Sequence, residues 1–250
     1  MIYSIRCSCL LVLSVMFVTA LVAGEVGTEF TALACDTAVR DVFYVSGGRE
    51  TSLVVPALER SAPQTYRGER VMRFFRNEAG APGEPSRRVE VASVILPEAG
   101  GPVLLLWLVT GQNQYSVRAL PEDLVSFPLG RARVCNVGPY PVAVNGPDGV
   151  LKLAPGETGF MAGDGRRLSV SVASQAEGQW ALVGHNIFAL SDRLRCTVVL
   201  AVSGNEAFQW VQGGHRLEQA PTLRIWGVGD WQPSSGLALA VGPKPTPFSR

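Results

Sequence analysis

Val42-Phe43-Tyr44-Val45-Ser46-Gly47, followed by Ser52-Leu53-Val54-Val55-Pro56, is echoed later in the chain by Val142-Ala143-Val144-Asn145-Gly146 and Val150-Leu151-Lys152-Leu153-Ala154-Pro155. Val45 and Val144 stand 99 residues apart, and so do Pro56 and Pro155. Further along, Gly68-Glu69-Arg70-Val71-Met72-Arg73-Phe74-Phe75 corresponds to Gly165-Arg166-Arg167-Leu168-Ser169-Val170-Ser171-Val172, and the apolar run Val103 to Val109 corresponds to Cys196 to Val202. The order of segments is kept while the offset drifts, as it does when only loops change length. A period of about a hundred residues is a whole small domain rather than a solenoid unit. The chain reads as two tandem copies of one fold produced by internal duplication.

Short apolar runs separated by Gly, Pro, Asn and Asp clusters fill most of the chain, and long segments of helical period are missing, which is the pattern of an all-β sandwich or barrel. Strands are expected in copy one near 30–35, 42–45, 51–55, 70–75, 89–95, 103–109 and 115–119. In copy two they are expected near 131–136, 142–145, 150–153, 167–173, 180–187, 193–202 and 223–228. Arg167-Leu168-Ser169-Val170-Ser171-Val172 alternates, so Leu168, Val170 and Val172 face a core and the polar residues face water. Val103-Leu104-Leu105-Leu106-Trp107-Leu108-Val109 does not alternate. Such a run suits a central strand buried on both faces, with its outer face against the other domain. The division that follows is a signal peptide at 1–24, a first sandwich at 25–120, a linker at 121–129, a second sandwich at 130–232 and a disordered tail at 233–250. So short a linker implies a packed, nearly fixed pair. The stretch Ala79-Gly80-Ala81-Pro82-Gly83-Glu84-Pro85 is a loop that copy two lacks.

The N-terminus has the form of an export signal: Arg6, then an apolar or small-residue run from Leu10 to Val22, then small residues, with cleavage expected after Gly24. Ala32-Leu33-Ala34 before Cys35 is an alternative processing site and a loose lipoprotein box. The repeat favours the first reading, because residues before Cys35 line up with Arg131-Ala132-Arg133-Val134-Cys135 at the start of copy two, Cys35 against Cys135. Removing 24 residues takes the basic count from 22 to 21, against 21 acidic residues. A neutral chain without a basic stripe does not suit nucleic acid or an anionic membrane surface, and no transmembrane segment is expected in the mature chain. The expected location is periplasmic or extracellular.

Cys7 and Cys9 leave with the signal, and Cys35, Cys135 and Cys196 remain. In an oxidising compartment the expected bridge is Cys135 with Cys196, both on strands of copy two; the alternative is that both are small buried hydrophobes. No catalytic or metal arrangement is recognisable. His185 lies on a strand without a Ser, Cys or carboxylate partner suggested by spacing, and His215 follows Gly213-Gly214 in a turn. Glu98, Asp123, Glu157, Asp164 and Asp192 fall in turns, where carboxylates cap backbone amides. Gly47-Gly48, Gly100-Gly101 and Gly213-Gly214 read as hairpin turns, not phosphate loops, since none opens a helix. No cofactor is expected. Trp210, Trp226 and Trp231 are the candidate binding residues, for stacking on sugars or anchoring a partner, with core packing as the alternative.

Cys135-Asn136-Val137-Gly138-Pro139-Tyr140-Pro141-Val142-Ala143-Val144 together with Leu153-Ala154-Pro155-Gly156-Glu157 resembles the opening strand and hairpin of uncharacterised secreted bacterial proteins with tandem immunoglobulin-like β-sandwich domains. The resemblance covers copy two well and copy one faintly. It implies an antiparallel immunoglobulin-like sandwich and export, and it brings no catalytic residues. The function expected from these readings is a non-enzymatic envelope or extracellular module that binds a protein or glycan or acts as a structural accessory. An extracellular hydrolase with a dispersed site and a sugar-binding module are the alternatives. Intact mass of the protein from envelope and medium fractions is expected to show a chain beginning at Glu25; one beginning at a lipidated Cys35 would overturn that cleavage site.

Overall fold

The structure is a computed structural model that describes residues 25–176, 178–203 and 222–231. All regular structure among them is β. Copy one supplies β1 (Val26–Ala34), β2 (Val39–Ser46), β3 (Arg49–Val55), β4 (Gln64–Gly68), β5 (Val71–Glu78), β6 (Arg87–Ile95), β7 (Val103–Gly111) and β8 (Gln114–Pro121). Copy two supplies β9 (Arg131–Asn136), β10 (Val142–Gly146), β11 (Gly149–Leu153), β12 (Thr158–Ala162), β13 (Arg167–Ala176), β14 (Gln179–Ala189), β15 (Leu194–Ser203) and β16 (Thr222–Trp231). No helix of the described residues is long and apolar enough to cross a membrane.

The sheet orders are β4-β1-β7-β8 and β3-β2-β5-β6 in copy one, and β12-β9-β15-β16 and β11-β10-β13-β14 in copy two. Strand for strand these are the same order, so the duplication seen in the sequence is a duplication of the whole sandwich. Neighbouring strands are antiparallel except β1 with β7 and β9 with β15, which run parallel in both copies. The parallel register sets Ala32 against Leu105 and Val134 against Val198. On that register Leu33 is the counterpart of Cys135, and Cys35 that of Val137. The sequence alignment of Cys35 with Cys135 is therefore out by two residues, a shift that keeps the same face because strand period is two.

Two short edge strands, β4 and β12, were not expected. Each buries one large residue, Tyr66 or Met161, and carries too little alternation to stand out beside the prolines that precede it. The long loop of copy one joins β5 to β6, where copy two passes from Ala176 to Gln179. Gly47 and Gly48 have φ of 55° and 77° in the tight β2–β3 turn, whereas Gly100 and Gly101 lie in the crossover from β6 to β7 rather than in a hairpin.

Each sandwich closes on its own core. Phe30, Tyr44, Phe74 and Trp107 centre the first, and Val134, Val144, Leu168, Val170 and Val198 the second. Asn136, with no solvent exposure, secures the opening of copy two: its amide donates to the carbonyls of Tyr140 (2.8 Å) and Ala154 (3.0 Å), and its side-chain oxygen accepts from the Gly138 amide (3.1 Å). The motif that carries the family resemblance is thus a knot between the β9–β10 and β11–β12 connections.

The outer faces of the β1/β7 and β9/β15 sheets form a third cluster between the copies. Leu33, Cys35, Leu104 and Leu106 meet Cys135 and Val199, so the apolar run of β7 is buried on both faces. Beyond this apolar half lies a charged half centred on Glu122, 8 % exposed. The Glu122 carboxylate pairs with Arg133, with Arg60 at 3.1 Å and with Arg195 at 3.6 Å. Arg133 also donates to the Pro121 carbonyl (2.7 Å) and Thr197 Oγ1 (3.1 Å), and Arg195 to the carbonyls of Glu122 (2.7 Å) and Phe127 (3.0 Å). The Phe127 ring lies under both guanidiniums, at 4.3 Å and 4.8 Å from its centroid.

Cys35, Cys135 and Cys196 are all free thiols in the structure, and it is the strand register that speaks against the bridge expected between Cys135 and Cys196. The parallel register pairs Cys135 with Val199 and Cys196 with Ala132, so the two cysteines are staggered by three residues and turned to opposite faces of one sheet. Cys135 enters the cluster between the copies and Cys196 the core of the second sandwich. Burial pushes the Cys35 thiol up to about 12, with the neighbouring Cys135 adding to the rise.

Glu122→Gln removes the carboxylate that pairs with these buried guanidiniums and is expected to destabilise the protein by about 3–5 kcal/mol in urea unfolding. The reduced protein should also lose stability in alkali. The folded state keeps the Cys35 proton above the ordinary thiol value of 9.0, so its contribution is present below pH 9 and is lost between pH 9 and pH 12. Compared with Cys35→Ala, the loss across that window should be up to about 4 kcal/mol, read from urea midpoints at stepped pH.

Candidate binding surface

The packing of sheet on sheet leaves two terminal faces to solvent, the outer faces of β3-β2-β5-β6 and β11-β10-β13-β14. Both contain the same β-bulge. In copy one the register skips Val91, passing from Phe74–Ala92 to Phe75–Glu90, and in copy two it skips Val183, passing from Val172–Gly184 to Ala173–Leu182. A bulge inserts one residue and so reverses which parity faces outward. In β14 it brings Trp180 and Leu182 onto the outer face beside His185 and Ile187.

The two copies fill this shared frame with different chemistry. In copy one the outward positions hold Phe43, Phe75, Arg88 and Glu90, and the Arg88 guanidinium lies 3.8 Å from the Phe75 ring centroid while pairing with Glu50 at 3.1 Å. Arg73 bridges Glu69 at 3.0 Å and Glu90 at 3.7 Å. A shallow cleft of about 340 Å³ opens beside them, lined by Tyr66, Arg67, Arg73, Phe75 and Arg88. The registers place Ala143 and Ala173 in copy two where Phe43 and Phe75 stand in copy one, and Trp180 and Leu182 where Arg88 and Glu90 stand. The face is then a floor of small residues bordered by Trp180 (41 % exposed), Leu182 (72 %) and Ile187 (53 %), with Val150 (61 %) at the far edge.

His185 is exposed on this face, and its Nδ1 lies 3.2 Å from Ser171 Oγ on the paired strand. Spacing along the chain did not suggest that partner. His215 and Trp210 lie outside the described residues. Trp226 and Trp231 belong to β16, paired with Val199 and Leu194, and their side chains are also outside the described part. Three of the turn carboxylates cap as expected. Asp123 accepts from the amides of Val125 and Ser126, Asp164 from those of Arg166 and Arg167, and Glu157 from that of Ala154; the hydrogen bonds hold the first two carboxyls below their usual range. Among the described residues no three His, Cys, Asp or Glu side chains are grouped to hold a metal ion.

The reading of the sequence missed Trp180, Leu182 and Ile187 as surface residues. The signal was present in Trp180-Ala181-Leu182-Val183, where apolar residues fall on both parities, but only the bulge decides which of them face outward.

No family model matches the chain, and no curated protein matches it. Among solved structures it is similar to a chain described as a "putative cell adhesion protein" from Bacteroides eggerthii, at 8% identity over 82% of this chain and 96% of that one, with a TM-score of 0.25. So loose a superposition transfers neither fold nor function.

Proposed function

We propose that this protein is an exported, non-enzymatic module of the envelope or extracellular space that engages a protein or glycan through the outer face of β11-β10-β13-β14. The observation that supports this reading is the contrast between the duplicated faces. One carries stacked guanidinium and ion pairs where the other presents Trp180 and Leu182 to water over small neighbours, while Ile95 and its counterpart Ile187 are exposed on both. Aromatic and aliphatic residues grouped on a rigid, solvent-facing sheet are the usual anchors of a binding site. The buried junction makes the two sandwiches one rigid support for that face.

A second reading, an extracellular hydrolase, has the Ser171–His185 contact as its one specific support. A nucleophile–base pair also needs an orienting group and donors for the developing oxyanion. A sugar-binding module through Trp210, Trp226 and Trp231 is the third reading.

Leu182→Asp and Trp180→Ala are expected to weaken co-sedimentation with washed cell envelopes by roughly tenfold or more. Thermal stability should change little, since both side chains are exposed. Undiminished binding in both variants would overturn the assignment of this face, and turnover of ester substrates abolished by Ser171→Ala would establish the hydrolase instead.

A further inference from the structure

Cys35 directly follows β1 in copy one and Cys135 lies on β9 in copy two, yet both enter the single apolar cluster where the two inner sheets meet. Solvent reaches 6 % of Cys35 and 1 % of Cys135. Their other neighbours in that cluster are Leu33, Leu104, Leu106 and Val199. Cys135 helps to raise the Cys35 thiol, and both thiols lie near the Arg118 guanidinium, which reaches across the junction to donate to the Gly156 carbonyl. Cys196 is on the opposite face of the same sheet, and its sulfur would lie 3.0 Å from a Cβ added at Gly227, on the core side.

We propose that Cys35 and Cys135 are a modification site: they form a disulfide that joins the two sandwiches when the chain folds in an oxidising compartment. The proposal rests on the export reading for its setting and on the packing for its pairing. Facing sheets stand about 10 Å apart on average and a disulfide needs Cα atoms within about 7 Å, so the bond draws the two strand ends closer than the mean spacing, as the inter-sheet disulfides of immunoglobulin domains do. Each thiol gives up its proton, the two sulfurs bond, and the electron pair passes to an external disulfide, which is released as two thiols. Exchange needs a thiolate with access to solvent. Once the sheets have docked both are scarce, so the bond forms as the copies come together and is shielded afterwards.

The three thiols fall on separate tryptic peptides, 25–40, 134–152 and 196–216. Full-length mature chain, refolded from the reduced denatured state in a mixture of reduced and oxidised glutathione, is alkylated and digested. The expected product is peptide 25–40 joined to 134–152 with Cys196 alkylated, unchanged in Cys196→Ala and absent in Cys135→Ala. Chain oxidised while denatured should give all pairings mixed. A bond that includes Cys196, or three alkylated thiols after refolding, overturns the proposal. As a second readout, reductant should lower the thermal midpoint of the oxidised protein by several degrees and leave that of Cys135→Ala unmoved. The same digest on protein taken from cells separates the two readings: a bond made in the refolding mixture but absent in cellular protein would count against export and not against the pairing.

Discussion

A carboxylate shut away from water among guanidiniums sets how the two halves of this protein meet. Glu122 sits where copy one ends, Arg133 and Arg195 lie on the first and seventh strands of copy two, and Arg60 comes from the β3–β4 connection. Taking such charges out of water costs several kcal/mol per ion, and only close pairing with full hydrogen bonding offsets it. The arrangement offsets much of that cost with main-chain carbonyls of Pro121, Glu122 and Phe127 and with the face of Phe127, while Arg133 Nε stays buried without a hydrogen-bond partner among the described residues. Because these carbonyls belong to the linker, the linker's path and the arginines' positions fix one another. Hydrocarbon alone would allow the inner sheets to slide; the ion cluster gives their docking a single register.

With the inner sheets committed to each other, the stack has four layers and two outer faces. What the stack leaves to solvent is those faces, the loops and the edges. Duplication gave both faces one frame, including the bulges at Val91 and Val183, and substitution then separated them. Replacing Phe43 and Phe75 by Ala143 and Ala173 removes the rings on which a guanidinium stacks, and Trp180 and Leu182 expose apolar surface where Arg88 and Glu90 had satisfied each other's charge.

The thiols follow the same logic of faces. Three cysteines on similar strands look interchangeable along the chain, but strand period and stagger send Cys135 and Cys35 to the junction and Cys196 to a core. Membership of one copy and a place on its strands, which favoured Cys135 with Cys196, carry no information about which side of a sheet a side chain occupies.

By itself the sequence determined the all-β class, the duplication, most of the strands and the two-sided burial of Val103 to Leu108, because these follow from local alternation, turn residues and the recurrence of both along the chain. Short edge strands such as β4 and β12 escaped because five residues with one buried side chain leave too weak a pattern. The tertiary structure decided the rest. An arginine in Arg131-Ala132-Arg133-Val134 reads as solvated by alternation, and only the docking of a second sheet buries Arg133 beside Glu122. Likewise, Leu182 and Ile187 differ in parity and share a face only because Val183 bulges. Periodicity specifies which residues point the same way within a strand; what lies opposite that face depends on long-range packing, which no local pattern encodes.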